Sequence, residues 1–333
     1  MGQNTLLAHL KSEAVLIDKV IADDLRSVTN VQLQEILGHA LLSGGKRIRP
    51  LLTILSARLC RKKNFQDEKT KAGLYRLAIS FEYLHAASLL HDDVIDHADV
   101  RRGRPAVNSV WGNTPAILAG DYLHSRAMYL AGTIGGEAIL AQISTAAASM
   151  VEAEFIQMRS VITKDQSEES YFSVLEGKTA ALISAACETG AMYAGEKGKK
   201  RAALKHYGRN LGLAFQIIDD LLDYLGDSNT TGKAVGNDFI EGKMTLPLIS
   251  ALKQSTNTDR EMLASLLDNT PQERKKNLPE AGNIIAGCDG FVYAGKRAAK
   301  LIEEAATGLD LFQDSSEKEI LLGLGQYVLK RNK

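Results

Sequence analysis

Two short clusters of carboxylates are the residues of this sequence whose types and spacing are best suited to chemistry. They comprise Asp92, Asp93, Asp96, Asp219, Asp220 and Asp223. In each cluster the first and last Asp are four positions apart, so on a helix they share one face, one turn apart. Carboxylates crowded together stay ionised only if a cation neutralises them. We therefore predict two helices whose acidic faces point at each other and bind a metal ion.

The identity of the metal follows from the ligand chemistry. Oxygen-only ligands favour Mg²⁺, which keeps several waters and shares its remaining positions with a phosphate. His91 and His97 flank the first cluster and raise zinc as an alternative, but no further His or Cys pair is spaced to complete a tetrahedral site. A calcium-binding structural module is a second alternative. The prediction is Mg²⁺ together with a diphosphate.

Basic residues beside glycines supply the complementary charge. Arg101 and Arg102 follow the first cluster, and adjacent guanidiniums are suited to phosphate oxygens. Lys46 and Arg49 follow a Gly-Gly turn and are candidates for binding a second diphosphate without metal. Arg47, between them, is interpreted as part of an ordinary helix start. A calcium-binding structural module would not require these paired basic segments.

Three polar residues on predicted helices are candidates near a reacting centre: Lys178, Thr179 and Gln216. A hydroxyl, an amide oxygen and a lysine near a metal can stabilise a carbocation, although each alone would pass as an ordinary helix residue. His85 lies two turns before Asp92 on the same helix face, so it is a candidate substrate contact. Lys233 and Lys243 lie in and just after the glycine- and charge-rich loop 226–242, which is placed to fold over the second cluster.

Helix-forming residues dominate the chain, and no proline occurs between Pro115 and Pro247. Alternating strand patterns with hairpin turns are missing. We predict an all-α protein with helices at 4–24, 31–43, 48–61, 68–96, 114–131, 136–162, 168–194, 199–225 and 246–253, followed by shorter ones. The helices that carry the two clusters are strongly apolar before them, which places a polar mouth above an apolar interior. A substrate with a charged head and an apolar tail would fit.

Composition and charge exclude several classes. The 333 residues carry 40 basic and 40 acidic side chains, so the net charge is zero and nucleic acid is not expected as a partner. Three widely spaced cysteines suit a reducing cytoplasm. We expect neither a signal peptide nor an apolar run long enough to span a bilayer, because the most apolar segments are interrupted by Asp, His or Glu. No linker or repeat divides the chain, and a single domain over 1–333 is the simpler interpretation.

The sequence resembles the trans-isoprenyl diphosphate synthases, specifically the bacterial polyprenyl branch typified by octaprenyl diphosphate synthase, from about residue 5 to 330. The resemblance rests on six collinear motifs: GGKRIRP (44–50), EYLHAASLLHDDVIDHADVRRGRP (82–105), GNTPAILAGDYL (112–123), GKTAAL (177–182), AFQIIDDLLDY (214–224) and GKAVGNDFIEGKMTLPL (232–248). It implies the isoprenoid synthase fold, with antiparallel helices around a central cavity and the two Asp-rich motifs at its mouth, usually as a homodimer.

The resemblance also implies roles for individual residues. Both Asp clusters would bind Mg²⁺ that grips the allylic diphosphate, which Arg101, Lys178 and Lys233 would hold as well. The diphosphate of isopentenyl diphosphate would be bound by four residues: Lys46, Arg49, His85 and Arg102. Thr179 and Gln216 would line the reacting centre, and Lys243 would belong to the closing loop. The implied reaction is a head-to-tail condensation of isopentenyl diphosphate onto an allylic diphosphate such as farnesyl diphosphate.

Product length depends on the helix wall before the first cluster. Ser88 and Ala87 precede Asp92 by four and five residues and are small, and in the family bulky aromatics here stop growth at farnesyl. The next turns down present Leu84 and Phe81. We predict a product near octaprenyl, with a geranylgeranyl or other shorter-chain synthase as the alternative.

Two other readings are less favoured. A class I terpene cyclase would lack GGKRIRP and replace the second Asp motif, whereas non-catalytic partner subunits typically lose Asp motifs.

A cytoplasmic enzyme that touches a membrane transiently to release its product is expected.

Overall fold

The computed structural model describes residues 3–60, 67–101, 103–226 and 235–331, with the side chains from Leu6 onward. Its first part contains seven α-helices: α1 (Gln3–Leu25), α2 (Val31–Leu42), α3 (Ile48–Leu59), α4 (Glu68–Ile95), α5 (Val107–Trp111), α6 (Asn113–Leu130) and α7 (Gly136–Thr163). A two-stranded antiparallel hairpin, β1 (Val100–Arg101) and β2 (Arg104–Pro105), lies between α4 and α5. A short π-helical segment, Ala131–Gly135, connects α6 to α7.

The later part is also helical. Its α-helices are α8 (Glu168–Leu175), α9 (Ala181–Tyr193), α10 (Lys199–Leu225), α11 (Asn237–Ile240), α12 (Leu246–Gln254), α13 (Asn257–Asp268), α14 (Pro271–Lys276), α15 (Leu278–Gly287), α16 (Gly290–Gly308) and α17 (Ser316–Leu329). A second π-helical segment, Glu176–Ala180, joins α8 to α9, and a 3₁₀ turn, Leu309–Leu311, follows α16.

The all-α prediction is confirmed, and the predicted helices match the observed ones to within two residues at their ends. Two features differ from the expectation. The predicted helix 168–194 is interrupted by the π-helical segment, and the hairpin β1–β2, with α5 and α11, was not anticipated. A hairpin of two-residue strands is too short to produce the alternating pattern from which strands are recognised.

By their internal contacts, the residues group into two compact units. The first unit comprises 1–147, 182–208 and 309–323, and the second comprises 148–181, 209–308 and 324–333. The expectation of a single domain remains a prediction.

Helix α4 is the central element of the first unit, where it packs lengthwise against α6 and also against α3. Its start is fixed by Asp67, whose side chain accepts a hydrogen bond of 2.8 Å from the Thr70 amide. The apolar residues Phe81 and Leu84 are buried. Because the buried part of α4 ends at the first Asp cluster, the packing of this helix determines where those carboxylates lie.

The second unit has its apolar core around α12, which packs against α13, α15 and α16. Leu246, Ile249 and Leu263 are fully buried there. The short helix α11 contributes Phe239, which is also fully buried. This core anchors the chain directly after the loop 226–242, so Lys243 is attached to a well-packed element.

Within the second unit, the π-helical segment approaches α7 closely. A Cβ atom at Gly177 would lie only 2.6 Å from the Ala153 Cβ and from the Ser149 carbonyl oxygen, so glycine is required by the contact. Single π-helical turns inside α-helices occur frequently at functional sites. Here the turn carries Lys178 and Thr179, two of the predicted site residues.

One helical stretch, Asn113–Thr163, is apolar and long enough by composition to cross a membrane, with a window of mean hydropathy 1.2 that is 28% buried. This contrasts with the expectation that no apolar run is long enough to span a bilayer. Length and composition alone do not distinguish a membrane span from a core helix of a soluble protein.

Packing in the first unit can be tested at Gly190 of α9. A Cβ there would lie 2.3 Å from the Thr53 carbonyl oxygen and 2.9 Å from the Ala57 amide nitrogen, both backbone atoms of α3. We expect Gly190→Ala to lower the free energy of unfolding by about 1–3 kcal/mol in urea denaturation, since the helices must separate.

The matched control is Gly38→Ala in the middle of α2, where an added Cβ meets nothing within 4 Å. That substitution should raise stability by about 0.5–1 kcal/mol because alanine is the better helix former. Equal effects of the two substitutions would contradict the close approach of α9 and α3.

Candidate active site

The first Asp cluster lies at the end of α4 in the first unit. Asp93 is buried, Asp92 is half-buried and Asp96 is the exposed C-cap residue of the helix. The Arg101 Nε donates to both carboxylate oxygens of Asp93, at 2.6 and 2.8 Å. The structure thus brings together two predicted site residues, one from the helix and one from the hairpin.

The hairpin β1–β2 explains how Arg101 reaches back to α4. Gly103 takes a positive φ of 74° at the turn, a conformation that suits glycine. The Asn108 amide nitrogen donates to the backbone oxygens of Asp93 and Ala98, at 3.1 and 3.0 Å, and ties the segment to the helix end. Arg102, which was predicted to bind isopentenyl diphosphate, lies outside the described residues.

The GGKRIRP segment precedes and begins α3 in the same unit. Arg47 adopts a left-handed conformation with φ of 49°, and its side chain is 1% exposed. It donates to Asp18 and to Glu82, each at 2.7 Å. Arg47 is thus buried between two carboxylates, and its interpretation as part of an ordinary helix start remains a prediction. Of the cations on either side of it, Lys46 is exposed and Arg49 is half-buried.

The histidines around the first cluster have separate surroundings. A ring nitrogen of His91 lies 3.2 Å from the Ile117 carbonyl oxygen and 3.4 Å from the Asp121 carboxylate. His97 is exposed and has a φ of 53°. His85 is half-buried on α4.

The small residues proposed to set product length lie on the same helix. Ala87, Leu84 and Phe81 are buried, and Ser88 is half-buried with its hydroxyl donating to the His85 carbonyl oxygen at 2.9 Å. The wall of α4 below the first cluster is therefore closely packed within its unit.

The second Asp cluster lies at the end of α10 in the second unit, and its three carboxylates have three different environments. Asp219 pairs with Arg331 at 2.7 Å. Asp220 is buried and accepts hydrogen bonds from the Tyr171 hydroxyl at 2.6 Å and the Gln216 amide at 3.0 Å.

The third carboxylate of this cluster, Asp223, faces the start of helix α11. It accepts hydrogen bonds from the backbone amides of Asn237 and Asp238, at 3.2 and 2.9 Å. It therefore connects the end of α10 to the chain that returns after the loop. Lys233, in the loop itself, lies outside the described residues.

A cavity of about 120 Å³ in the second unit collects five of the predicted residues. They are Lys178, Thr179, Gln216, Asp220 and Lys243. Tyr171 and Asp238 also line it, and neither was identified from the sequence. The Thr179 hydroxyl donates to the Gln216 amide oxygen at 2.9 Å, so the two residues predicted at the reacting centre are in direct contact.

The two lysines of this cavity are neutralised by nearby carboxylates. Lys178 lies 2.7 Å from Glu154 and donates to the Gln157 amide oxygen at 2.8 Å. Lys243 lies 2.6 Å from Glu241 and 3.4 Å from Asp238. Burial alone would lower the pKa of Lys243, but the attraction of Asp238 and Glu241 outweighs it and raises that pKa. Lys243 therefore stays charged.

The carboxylates around α10 are short of positive charge. Burial, followed by repulsion from Asp238, raises the pKa of Asp223 to about 6. The same two causes, in the same order, raise the pKa of Asp220 well above its usual range despite its hydrogen bonds. Such a cluster of oxygen ligands with excess negative charge is chemically suited to a hard divalent cation.

No ready-made metal cage is present: across the described part of the chain, no group of three or more His, Cys, Asp or Glu side chains is arranged to hold a metal ion. Several of the carboxylates are instead engaged by Arg101, Tyr171, Gln216 and Arg331. Any cation bound here would need ligands from its substrate or a rearrangement of these contacts.

Three residues of the second unit were missed by the sequence analysis. Asp238 lies within the stretch 232–248 that was noted, but only its lysines were singled out. Tyr171 had a weak signal, as it lies near the start of the helix that leads to Lys178. Arg331 had none, because its partner Asp219 is 112 positions earlier in the chain.

The fold is shared with solved structures of known proteins. A polyprenyl synthase from Caulobacter crescentus, crystallised with calcium and isoprenyl diphosphate, superposes with a TM-score of 0.86 at 32% identity, covering 99% of this chain and 98% of that one. The chain therefore has the all-α isoprenoid synthase fold, as expected from the sequence. The family model for polyprenyl synthetase matches residues 30–285.

Curated relatives of known function are similar over nearly the whole chain. An octaprenyl diphosphate synthase from Escherichia coli is 35% identical, with 95% of each chain covered. A short chain isoprenyl diphosphate synthase from Methanothermobacter thermautotrophicus is also 35% identical, with 97% of each covered. The chain belongs to the polyprenyl synthetase family. Members of this family are metal-dependent prenyltransferases that use isoprenyl diphosphates, and this protein is accordingly a prenyltransferase.

The electrostatics of the second cluster lead to a prediction for the metal-free protein. The pKa of Asp220 is raised on folding, so the folded state holds its proton more tightly than the unfolded state, in which the pKa is about 3.9. The resulting stability is present below that value and is lost as the pH rises, by about 1.4 kcal/mol for each tenfold difference in proton affinity. In EDTA, Asp220→Asn should therefore raise the melting temperature more at about pH 8 than at about pH 5.

Asp310→Asn, at an exposed position, serves as the control and should give no pH-dependent change. An equal effect of Asp220→Asn at both pH values would show that the buried carboxylate carries no ionisation cost.

Proposed function

We propose that this protein is a trans-polyprenyl diphosphate synthase that joins isopentenyl diphosphate head-to-tail to an allylic diphosphate, farnesyl diphosphate being the expected primer. The observation that carries the proposal is the cavity of the second unit. It combines an acidic, cation-poor wall at Asp220 and Asp238 with the charged Lys243 and the contact between Thr179 and Gln216. Family membership supports the same chemistry.

Mg²⁺ is the proposed cofactor, held by the carboxylates of the two Asp clusters. Mg²⁺ keeps several waters and shares its coordination with substrate phosphates, so it needs only one or two protein carboxylates at a time. This requirement agrees with the lack of a complete protein cage among the described residues. When bound, the cation would stabilise the negative charge of the departing diphosphate.

The basic side chains are proposed to bind the diphosphates. Arg101, Lys178, Lys233 and Lys243 are assigned to the allylic diphosphate and to the loop that closes over it. Lys46, Arg49, His85 and Arg102 are assigned to isopentenyl diphosphate. In support, Arg101, Lys178 and Lys243 already contact carboxylate or amide oxygens, so their charged ends reach positions where anionic oxygens are accepted.

Loss of the allylic diphosphate leaves a carbocation, which water would quench. The oxygens of Thr179 and Gln216 are proposed to face this developing positive charge, an electrostatic role that needs no proton transfer. The double bond of isopentenyl diphosphate attacks the cation, and the departing diphosphate is the proposed acceptor of the proton that is then lost.

A product longer than farnesyl, near octaprenyl, is proposed from the wall of α4. Ser88 and Ala87 occupy little volume one turn before Asp92, and the larger Leu84 and Phe81 follow deeper in the unit. A shorter product such as geranylgeranyl diphosphate is the second candidate, because a similar relative carries a short-chain name.

The protein is further proposed to act as a cytoplasmic homodimer that contacts membranes only to release its product. On α7, Val151, Phe155, Met158 and Ile162 are 58, 69, 55 and 79% exposed. Their spacing of four, three and four residues places them on one face of the helix. Such an exposed apolar stripe is suited to burial against a second copy of the chain.

The function is tested by incubating the purified protein with isopentenyl diphosphate, farnesyl diphosphate and Mg²⁺ and resolving the products by length. We expect a ladder ending near roughly eight isoprene units, and no product in EDTA. Farnesyl diphosphate left unextended would contradict the proposal.

A matched pair of variants locates the length control. Ser88→Phe should shorten the product because an aromatic ring would obstruct the wall of α4, whereas Ser109→Phe on α5 should leave its length unchanged. A ladder that stops at geranylgeranyl in the unmodified protein would keep the chemistry and establish the shorter-chain alternative.

The homodimer is tested by light scattering after size exclusion. Phe155→Glu should convert a dimer to a monomer, because a charge cannot be buried unpaired at the stripe. Leu311→Glu, at another exposed apolar residue, is the control. A monomeric unmodified protein would contradict the proposal.

A further inference from the structure

Four side chains of the second unit form a continuous chain of hydrogen bonds. The Tyr171 hydroxyl donates to Asp220 Oδ2 at 2.6 Å, and the Gln216 Nε2 donates to Asp220 Oδ1 at 3.0 Å. The Thr179 hydroxyl donates to the Gln216 Oε1 at 2.9 Å. The chain therefore runs from the first helical turn of α8 to the π-helical segment by way of α10.

Asp220 lies at one edge of its cluster on α10. Helix geometry places Asp219, Asp223, Gln216 and Asp220, in that order, within an arc of about 100°, since a helix has 3.6 residues per turn. Asp220 is 5% exposed, and both of its oxygens already accept hydrogen bonds from protein donors.

The direction of the hydrogen bonds matters because an amide has two different ends. The Gln216 Nε2 faces Asp220 and donates to its Oδ1, which can accept whether that carboxyl group is ionised or protonated. The amide oxygen of Gln216 is then directed to Thr179 and to the cavity that both residues line. Removal of the Tyr171 hydroxyl would take away one of the two side-chain donors that hold the carboxyl group of Asp220.

We propose that Tyr171 is a positioning residue, which acts through Asp220 to hold the amide oxygen of Gln216 and the hydroxyl of Thr179 toward the reacting centre. This narrows the metal ligands proposed above: within the second cluster Asp219 would hold the cation, whereas Asp220 anchors the hydrogen-bond chain. The inference rests on the proposed function, because it assumes that positive charge develops at that centre. Buried polar chains of this kind position side chains only when every member is satisfied.

The first experiment compares Tyr171→Phe with Tyr293→Phe. Both remove one buried or half-buried hydroxyl from the second unit, and the Tyr293 hydroxyl donates to the Glu168 carboxylate, 3.0 Å away. Tyr171→Phe should lower kcat about tenfold with little change in KM for either diphosphate, since the lost interaction acts in the transition state. Tyr293→Phe should leave both constants unchanged. Equal kinetics of the two variants would overturn the inference.

A second pair keeps the proposal testable if Tyr171→Phe folds poorly. Thr179→Val, which removes the hydroxyl, should reproduce the loss of kcat, and Thr179→Ser, which retains it, should lose less. The double variant Tyr171→Phe with Thr179→Val should lose no more than about the larger single effect, because both act through one chain. Additive losses would overturn the inference.

The claim about metal binding has a readout independent of activity. Calorimetric titration of Mg²⁺ with inorganic diphosphate should give weaker binding for Asp219→Asn by about tenfold and nearly unchanged binding for Asp220→Asn. Equal weakening by both substitutions would make Asp220 a metal ligand. An unmodified protein that makes no product refutes the proposed function, whereas an active one with an unaffected Tyr171→Phe variant refutes only this inference.

Discussion

The constraint on which the second unit depends is an excess of carboxylates with too few cations. Asp219, Asp220, Asp223 and Asp238 gather around the end of α10, against Arg331 and Lys243. Burial raises the energetic cost of each charge, and mutual repulsion adds to it. Binding of a cation lowers this electrostatic cost. For a metal-dependent prenyltransferase, a hard cation together with its diphosphate fits these oxygen donors.

Each carboxylate of the second cluster has a different partner: a guanidinium for Asp219, a hydroxyl and an amide for Asp220, and backbone amides for Asp223. In the first unit Arg101 does the same for Asp93. Aspartates that are equivalent in the sequence motif therefore have different contacts in the structure. These contacts leave some of the carboxylates more available to a cation than others.

In the first unit, one helix carries both the carboxylates and the apolar wall that this chemistry requires. Helix α4 carries carboxylates at its end and small residues one turn below, before a wall of buried Leu84 and Phe81. The short hairpin β1–β2 returns a guanidinium to that end. A polar mouth above an apolar wall was expected from the sequence, and the burial of these side chains follows that order.

The helical class, the ends of most helices and the candidate residues could be predicted from the amino-acid sequence. These depend on local composition and on spacings of three and four residues, which are physical properties of short segments. The burial of Arg47 between Asp18 and Glu82 could not, because those partners are 29 and 35 positions away. The π-helical segment Glu176–Ala180 was not predicted, because one inserted residue does not change the hydrophobic periodicity visibly.

The partner of each carboxylate is set by the tertiary structure and could not be predicted from the sequence. Tyr171 meets Asp220 across 49 positions, and Arg331 meets Asp219 across 112, so no local pattern encodes either contact. Burial determines the pKa values of these carboxylates. The formal charge of the chain is zero, but the buried end of α10 is locally acidic. The pKa values of Asp220 and Asp223 therefore depend on how closely the helices pack around them.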